Sequence, residues 1–138
     1  MKYYLISGEA SGDLHGSKLI AALRNIDQKS KFRAWGGDLM EKEGAVIIKH
    51  YKNLAFMGIQ EVILRMPKIL KNIAFCKSDI LKFNPDVIIY IDFPGFNLRI
   101  AKWAKQIGFK NHYYISPSVW AWRESRVKQI KKNIESLY

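Results

Sequence analysis

The stretch Tyr3-Tyr4-Leu5-Ile6-Ser7-Gly8-Glu9-Ala10-Ser11-Gly12-Asp13 runs from an aromatic, β-branched tetrapeptide into a turn bounded by glycines. Residues 3–6 suit a strand, and from Asp13 onward Leu14, Leu19, Ile20 and Leu23 recur at helical spacing. Strand, glycine turn and helix in this order form the opening unit of a parallel α/β sheet. The rest of the chain repeats the theme. Residues 31–35 read as a second strand ended by Gly36-Gly37, residues 38–43 as a short helix and residues 45–48 as a third strand. From Gly58 to Phe83 apolar residues follow a helical period, with Pro67 placed to start a second helical segment. Asn84-Pro85 stops that segment. Residues 86–91 are nearly all apolar, as a central strand buried on both faces requires. Residues 98–107 make a further helix closed by Gly108, residues 112–115 a strand, and residues 123–133 a basic helix. A last strand is expected to begin near Ser136. The expected fold is α/β, a Rossmann-like parallel sheet flanked by helices, in a single domain over residues 1–138.

Composition narrows the function classes. The chain has 138 residues, 49% of them hydrophobic, which suffices for one core. The net charge of +11 points to polyanionic partners: nucleic acid, anionic lipid or phosphorylated substrates. Cys76 is the single cysteine, so no intramolecular disulfide can form, and a reducing, cytosolic setting is expected. The apolar run at the start is ended too early by Gly8, Glu9 and Asp13 to read as a signal peptide, and no run of about 18 apolar residues follows it. His15, His50 and His112 lack HxxxH or HExxH spacing and are given no metal role; no cofactor is expected.

Four places carry candidate chemistry. The first is the turn Gly8-Glu9-Ala10-Ser11-Gly12-Asp13, which in a doubly wound sheet faces the ligand crevice, where free N–H groups and the helix dipole favour anions or sugar oxygens. It matches neither GxGxxG nor a P-loop. Alternatively it is a tight turn with Ser11 or Asp13 capping the helix. The second is Asp92 in Ile91-Asp92-Phe93-Pro94-Gly95-Phe96-Asn97. A carboxylate at the end of a buried strand is partly desolvated, its pKa is pushed up, and it can serve as a general base; equally, it can hydrogen-bond local backbone. Asn97 can position a substrate hydroxyl or cap the next helix. The third is the loop from Ser116 to Arg123 with Trp120 and Trp122, which could stack on sugar or sit in the core. The fourth is the apolar stripe between Phe56 and Phe83, flanked by Arg65, Lys68, Lys71, Lys77 and Lys82, suited to a lipid interface, to acyl chains or to the core.

Taken together, Ser7-Gly8-Glu9-Ala10-Ser11-Gly12-Asp13, Ala55-Phe56-Met57-Gly58-Ile59-Gln60-Glu61-Val62, Ile91-Asp92-Phe93-Pro94-Gly95-Phe96-Asn97 and Tyr114-Ile115-Ser116-Pro117-Ser118-Val119-Trp120-Ala121-Trp122-Arg123 resemble the N-terminal domain of the lipid-A-disaccharide synthases. The resemblance implies a two-domain glycosyltransferase B-type fold, with this chain as the acceptor-side domain and the UDP-binding C-terminal domain missing from it. It implies a metal-independent, inverting transfer of 2,3-diacylglucosamine from its UDP donor to 2,3-diacylglucosamine 1-phosphate through a β(1→6) bond, an activity this piece is expected to lack alone. The setting implied is cytoplasmic, with peripheral contact to the anionic inner-membrane surface and no nucleic acid. The family's essential aspartate matches Asp92 and its glycine-turn serine matches Ser11. The same segments put Gly8, Glu9, Ala10, Gly12, Asp13, Met57, Glu61, Asn97, Ser116, Ser118, Trp120 and Arg123 at the substrates. Where many members carry a second aspartate after the proline, this chain has Gly95. The alternatives are another B-type glycosyltransferase or sugar-nucleotide epimerase domain, and a basic nucleic-acid-binding module, although no helix-turn-helix, zinc-finger or RNP pattern supports the last.

Overall fold

The computed structural model describes residues 1–54, 66–114, 128 and 131–137. Within them the chain forms β1 (Lys2–Ile6), α1 (Ala10–Ile26), β2 (Lys31–Gly36), α2 (Asp38–Lys42), β3 (Val46–His50), a 3-10 turn (Tyr51–Leu54), α3 (Met66–Phe83), β4 (Val87–Tyr90), α4 (Pro94–Ile107), β5 (Lys110–Tyr113) and β6 (Ser136–Leu137). The strands make one sheet in the order β3-β2-β1-β4-β5-β6, and every pairing is parallel. This is the Rossmann-like arrangement expected from the sequence.

Strand alternation divides the core into two layers. Tyr4, Ile6, Ile88 and Tyr90 project to one face and pack with Ile73, Cys76 and Ile80 of α3 and with Phe96, Ile100, Ala101 and Ala104 of α4. Leu5, Val87, Ile89 and Ile91 project to the other and pack with Ile20 of α1 and Met40 of α2. β4 is therefore apolar on both sides, and all four of its residues are buried. The strand order accounts for this division: the chain steps one way from β1 to β3 and the other way from β4 to β6, and parallel crossovers of the usual single hand then send the connecting helices to opposite faces.

A buried polar network fastens α3 to the sheet. Asp79 accepts from the Tyr4 hydroxyl at 2.8 Å and from Arg33 Nε at 2.8 Å and Nη2 at 2.5 Å, while Trp35 Nε1 donates to the Tyr4 oxygen at 2.9 Å. Burial works against the Asp79 carboxylate. The hydrogen bonds from Arg33 and Tyr4 and the guanidinium charge outweigh it and hold its pKa below the usual value.

Several boundaries differ from the sequence expectation. α1 begins at Ala10, not Asp13, so most of the expected turn is the first turn of a helix. α4 begins at Pro94, not Leu98, because Pro94 takes the first helical position, where its missing N–H leaves no bond unmade. Pro67 likewise stands at the second residue of α3; the expected helical stretch before Met66 lies outside the described residues. β5 ends at Tyr113, and a strand is already paired with it at Ser136. Positions 128 and 131–133 are helical, in agreement with the basic helix read there.

Candidate active site

β1 and β4 are neighbours, yet the chain leaves them toward opposite sides of the sheet, so the segments following these two strands bound a crevice at their carboxyl ends. After β1, Ser7 is buried; its N–H and its Oγ both donate to the Trp35 carbonyl, at 2.9 and 3.1 Å, which ties the exit of β1 to β2. Two close approaches then require glycine. A Cβ on Gly8 would lie 2.6 Å from the Phe93 ring, and one on Gly12 would lie 2.6 Å from Ser7 Cβ. Glu9 is extended (φ −154°) at the start of α1 and provides no side-chain cap; Glu9, Ala10 and Ser11 are exposed.

Neither Ser11 nor Asp13 caps α1, in correction of the alternative drawn from sequence. Asp13 is 2% exposed, and its carboxylate accepts from the backbone N–H groups of Gly37 (2.8 Å), Met40 (3.0 Å) and Leu39 (3.1 Å). It caps α2 from across the layer. That leaves it no face for a substrate, so its contribution to the site is structural.

After β4 the backbone does something the residue types do not announce. Asp92 and Phe93 both have positive φ, 47° and 51°, a region that costs a residue such as Phe roughly 1–2 kcal/mol and Asp less. The Asp92 carbonyl accepts from the Tyr113 hydroxyl at 2.6 Å and from Asn97 Nδ2 at 2.8 Å, and the same amide nitrogen donates to the Ile6 carbonyl at 3.2 Å. Asn97 is fully buried within the first turn of α4, its own N–H bonded to the Phe93 carbonyl at 2.9 Å. The sequence offered it two roles, helix cap or partner of a substrate hydroxyl; it is not the cap, and its burial leaves it closed to a hydroxyl from solvent. Phe93 occupies the cap position instead.

The Asp92 side chain is half-buried and lies within electrostatic reach of the Glu9 carboxyl. Burial is the largest influence raising its pKa; the hydrogen bond with Glu9 and the like charge of that group add to it, and the Phe93 N–H pulls the other way. The crevice thus brings two carboxyl groups near enough to influence each other, one from each side of the switch point.

Beside this pair lies an apolar cavity of about 210 Å³ lined by Leu54, Met66, Ile69, Asn72, Phe93, Gly95, Phe96 and Arg99. Gly95 has open space where a Cβ would stand. Arg99 and Phe93 were missed as site residues from sequence, although Arg99 follows Phe96 at helical spacing and so shares its face of α4. Tyr113 gave no signal at all: an aromatic residue in a strand reads as core. Met57, Glu61, Ser116, Ser118, Trp120 and Arg123 lie outside the described residues. Among the described residues no group of three or more His, Cys, Asp or Glu side chains could hold a metal ion, and no helix is long and apolar enough to cross a membrane.

Comparison with known proteins gives a consistent result. The family model for lipid-A-disaccharide synthetase matches residues 3–138. The chain is 44% identical over 129 residues to the lipid-A-disaccharide synthase of Xanthomonas oryzae pv. oryzae, covering 94% of this chain and 30% of that protein. It is 38% identical over 133 residues to that of Coxiella burnetii, covering 96% of this chain and 35% of that protein. The chain thus spans about a third of the length of the curated relatives it matches. Among solved structures, the UDP-GlcNAc 2-epimerase of Neisseria meningitidis bound to UDP-GlcNAc superposes with a TM-score of 0.66 over all of this chain and 39% of that one, at 11% identity, a likeness of fold.

Proposed function

The chain belongs to the lipid-A-disaccharide synthetase family, and from that premise we propose that it is the acceptor-side domain of an inverting glycosyltransferase in which Asp92 is the general base. The enzyme transfers 2,3-diacylglucosamine from its UDP donor to 2,3-diacylglucosamine 1-phosphate. Residues 1–138 serve the acceptor, and a second domain holds the UDP; relatives about three times as long leave room for one.

The observation that carries this reading is the half-buried Asp92 carboxyl at the switch point, with a pKa raised by burial and by Glu9. Inverting transfer requires such a group. As the acceptor 6-hydroxyl oxygen forms its bond to the anomeric carbon, its proton passes to Asp92. The bond from that carbon to the donor phosphate breaks on the opposite face, and UDP departs with the electron pair. A raised pKa makes the ionised carboxylate a stronger proton acceptor than a solvated one. The apolar cavity adjoining Phe93 suits one acyl chain of the acceptor, and Arg99 on its wall suits the anionic end of an amphiphile. The +11 charge suits peripheral contact with anionic lipid at the cytoplasmic face of the inner membrane.

The test is Asp92→Asn in the enzyme that carries this chain, with disaccharide formation followed directly. We expect turnover to fall by roughly 100-fold or more, the scale of a lost general base, with the fold retained. Near-parental turnover would remove Asp92 from the role. The pH profile of kcat/KM should rise with pH through the raised Asp92 value, since only the ionised form accepts the proton.

A further inference from the structure

We propose that Asn97 and Tyr113 are positioning residues, which hold the Asp92 backbone in its left-handed conformation and so fix where the Asp92 carboxyl lies in the crevice. The proposal deepens the reading of Asp92 as the base and rests on it for its catalytic meaning, though not for its geometry.

The argument begins with strain. Two consecutive non-glycine residues with positive φ persist only where their surroundings over-determine them. Here the Asp92 carbonyl receives two hydrogen bonds from side chains on two different elements, Tyr113 on β5 and Asn97 on α4, and both donors are fully buried. The Asn97 amide also binds the Ile6 carbonyl, so one nitrogen joins the last carbonyl of β1 to the carbonyl of Asp92. This sets the distance between the strand exits from which Glu9 and Asp92 project.

Asn97 is also the wrong residue for mere packing. Among the described residues its Oδ1 is buried with no partner, a condition that a plain core position would avoid by carrying an aliphatic side chain. Turning the amide over would not satisfy it, because Oδ1 would then face the carbonyl oxygens of Ile6 and Asp92. An unpartnered acceptor is tolerated where the two N–H bonds on the other side of the amide are what the position requires.

The groups facing Asp92 are the Glu9 carboxyl from the β1–α1 turn, the Tyr113 phenol from β5 and the Phe93 N–H. If the left-handed turn relaxes, Asp92 leaves Glu9 and gains solvent, and its titration returns toward the ordinary carboxylate range. The experiment is a titration of the chain labelled with 13C at the aspartate carboxyl carbons, with Asp92 assigned by its absence in Asp92→Asn. It compares the parent with Tyr113→Phe and Asn97→Leu. Tyr113→Phe removes one oxygen; Asn97→Leu keeps the branched outline and the number of heavy atoms and removes the unpartnered acceptor, so a purely structural role predicts that those variants which fold have an unchanged Asp92 midpoint. We expect the midpoint to fall in both. In the enzyme carrying the chain we expect kcat to fall roughly 10- to 100-fold for each, the scale of a misplaced catalytic group, with KM nearly unchanged. An Asp92 midpoint that stays put in the folded variants overturns the proposal. If Asn97→Leu fails to fold, Tyr113→Phe decides alone. Should the midpoint fall while Asp92→Asn itself transfers sugar normally, the positioning stands and the base assignment fails.

Discussion

Asp92 is held in a place that disfavours its own ionisation, and this separates its effect on stability from its effect on chemistry. Because its pKa in the fold lies above the unfolded value, its contribution to stability is fully present below the ordinary carboxylate pKa and is lost as the pH rises through the raised value. Asp92→Asn should accordingly be more stable than the parent at neutral pH, with the gap closing on acidification; thermal melts from pH 4 to 8 check this. Asparagine also adopts a left-handed backbone readily, so the substitution leaves the turn intact. The two glycines near Asp92 should behave oppositely. Gly8→Ala drives a methyl into the Phe93 ring and should cost about 1–3 kcal/mol, whereas Gly95→Ala meets open space in the first turn of a helix and should gain up to about 1 kcal/mol. Denaturant midpoints of the two variants distinguish them; equal losses would refute the crowding argument.

At the scale of elements, α3 is the piece whose attachment depends on charge. Arg33, part-exposed, and Tyr4 hold the buried Asp79 carboxylate on this helix, and the depressed Asp79 pKa means that this stabilisation is present above the ordinary carboxylate range and is lost as the pH falls through the depressed value. Arg33→Ala should cost about 1–3 kcal/mol at neutral pH, less than breaking a fully buried pair because solvent reaches the guanidinium. The loss should shrink in acid, and a pH-independent loss would assign it to packing alone. The same elements show what the sequence carries. Strands were legible because apolar runs with β-branched residues leave few other options, and Asp92 because a carboxylate directly after such a run must sit at the sheet edge. Helix starts were not: α1 and α4 begin before their apolar periodicity does, at Ala10 and Pro94. The roles of Asn97 and Tyr113 were hidden for a deeper reason. They act on the carbonyl of Asp92, whose left-handed backbone is imposed by its neighbours; neither Asp nor Phe announces it as glycine would.

For the whole molecule, the order β3-β2-β1-β4-β5-β6 makes two three-stranded halves that meet along β1 and β4. Pairs inside each half join strands that follow one another in the chain, while the seam joins residues 84 apart, as in the bond from the Lys2 N–H to Asp86. Closing so long a loop is the slower event in folding. Trp35 lies on β2 but is covered by Phe96 of α4, from the second half, as well as by Phe75 of the connecting α3, so its full burial reports the meeting of the halves. With the other three tryptophans changed to phenylalanine, refolding should show helical circular dichroism developing before the Trp35 fluorescence change; identical rates would mean that the sheet forms in one step. The crevice lies on that same seam. Its two carboxyls, one from the exit of each seam strand, come together only when that long-range pairing closes, so the crevice exists only in a chain whose two halves have met.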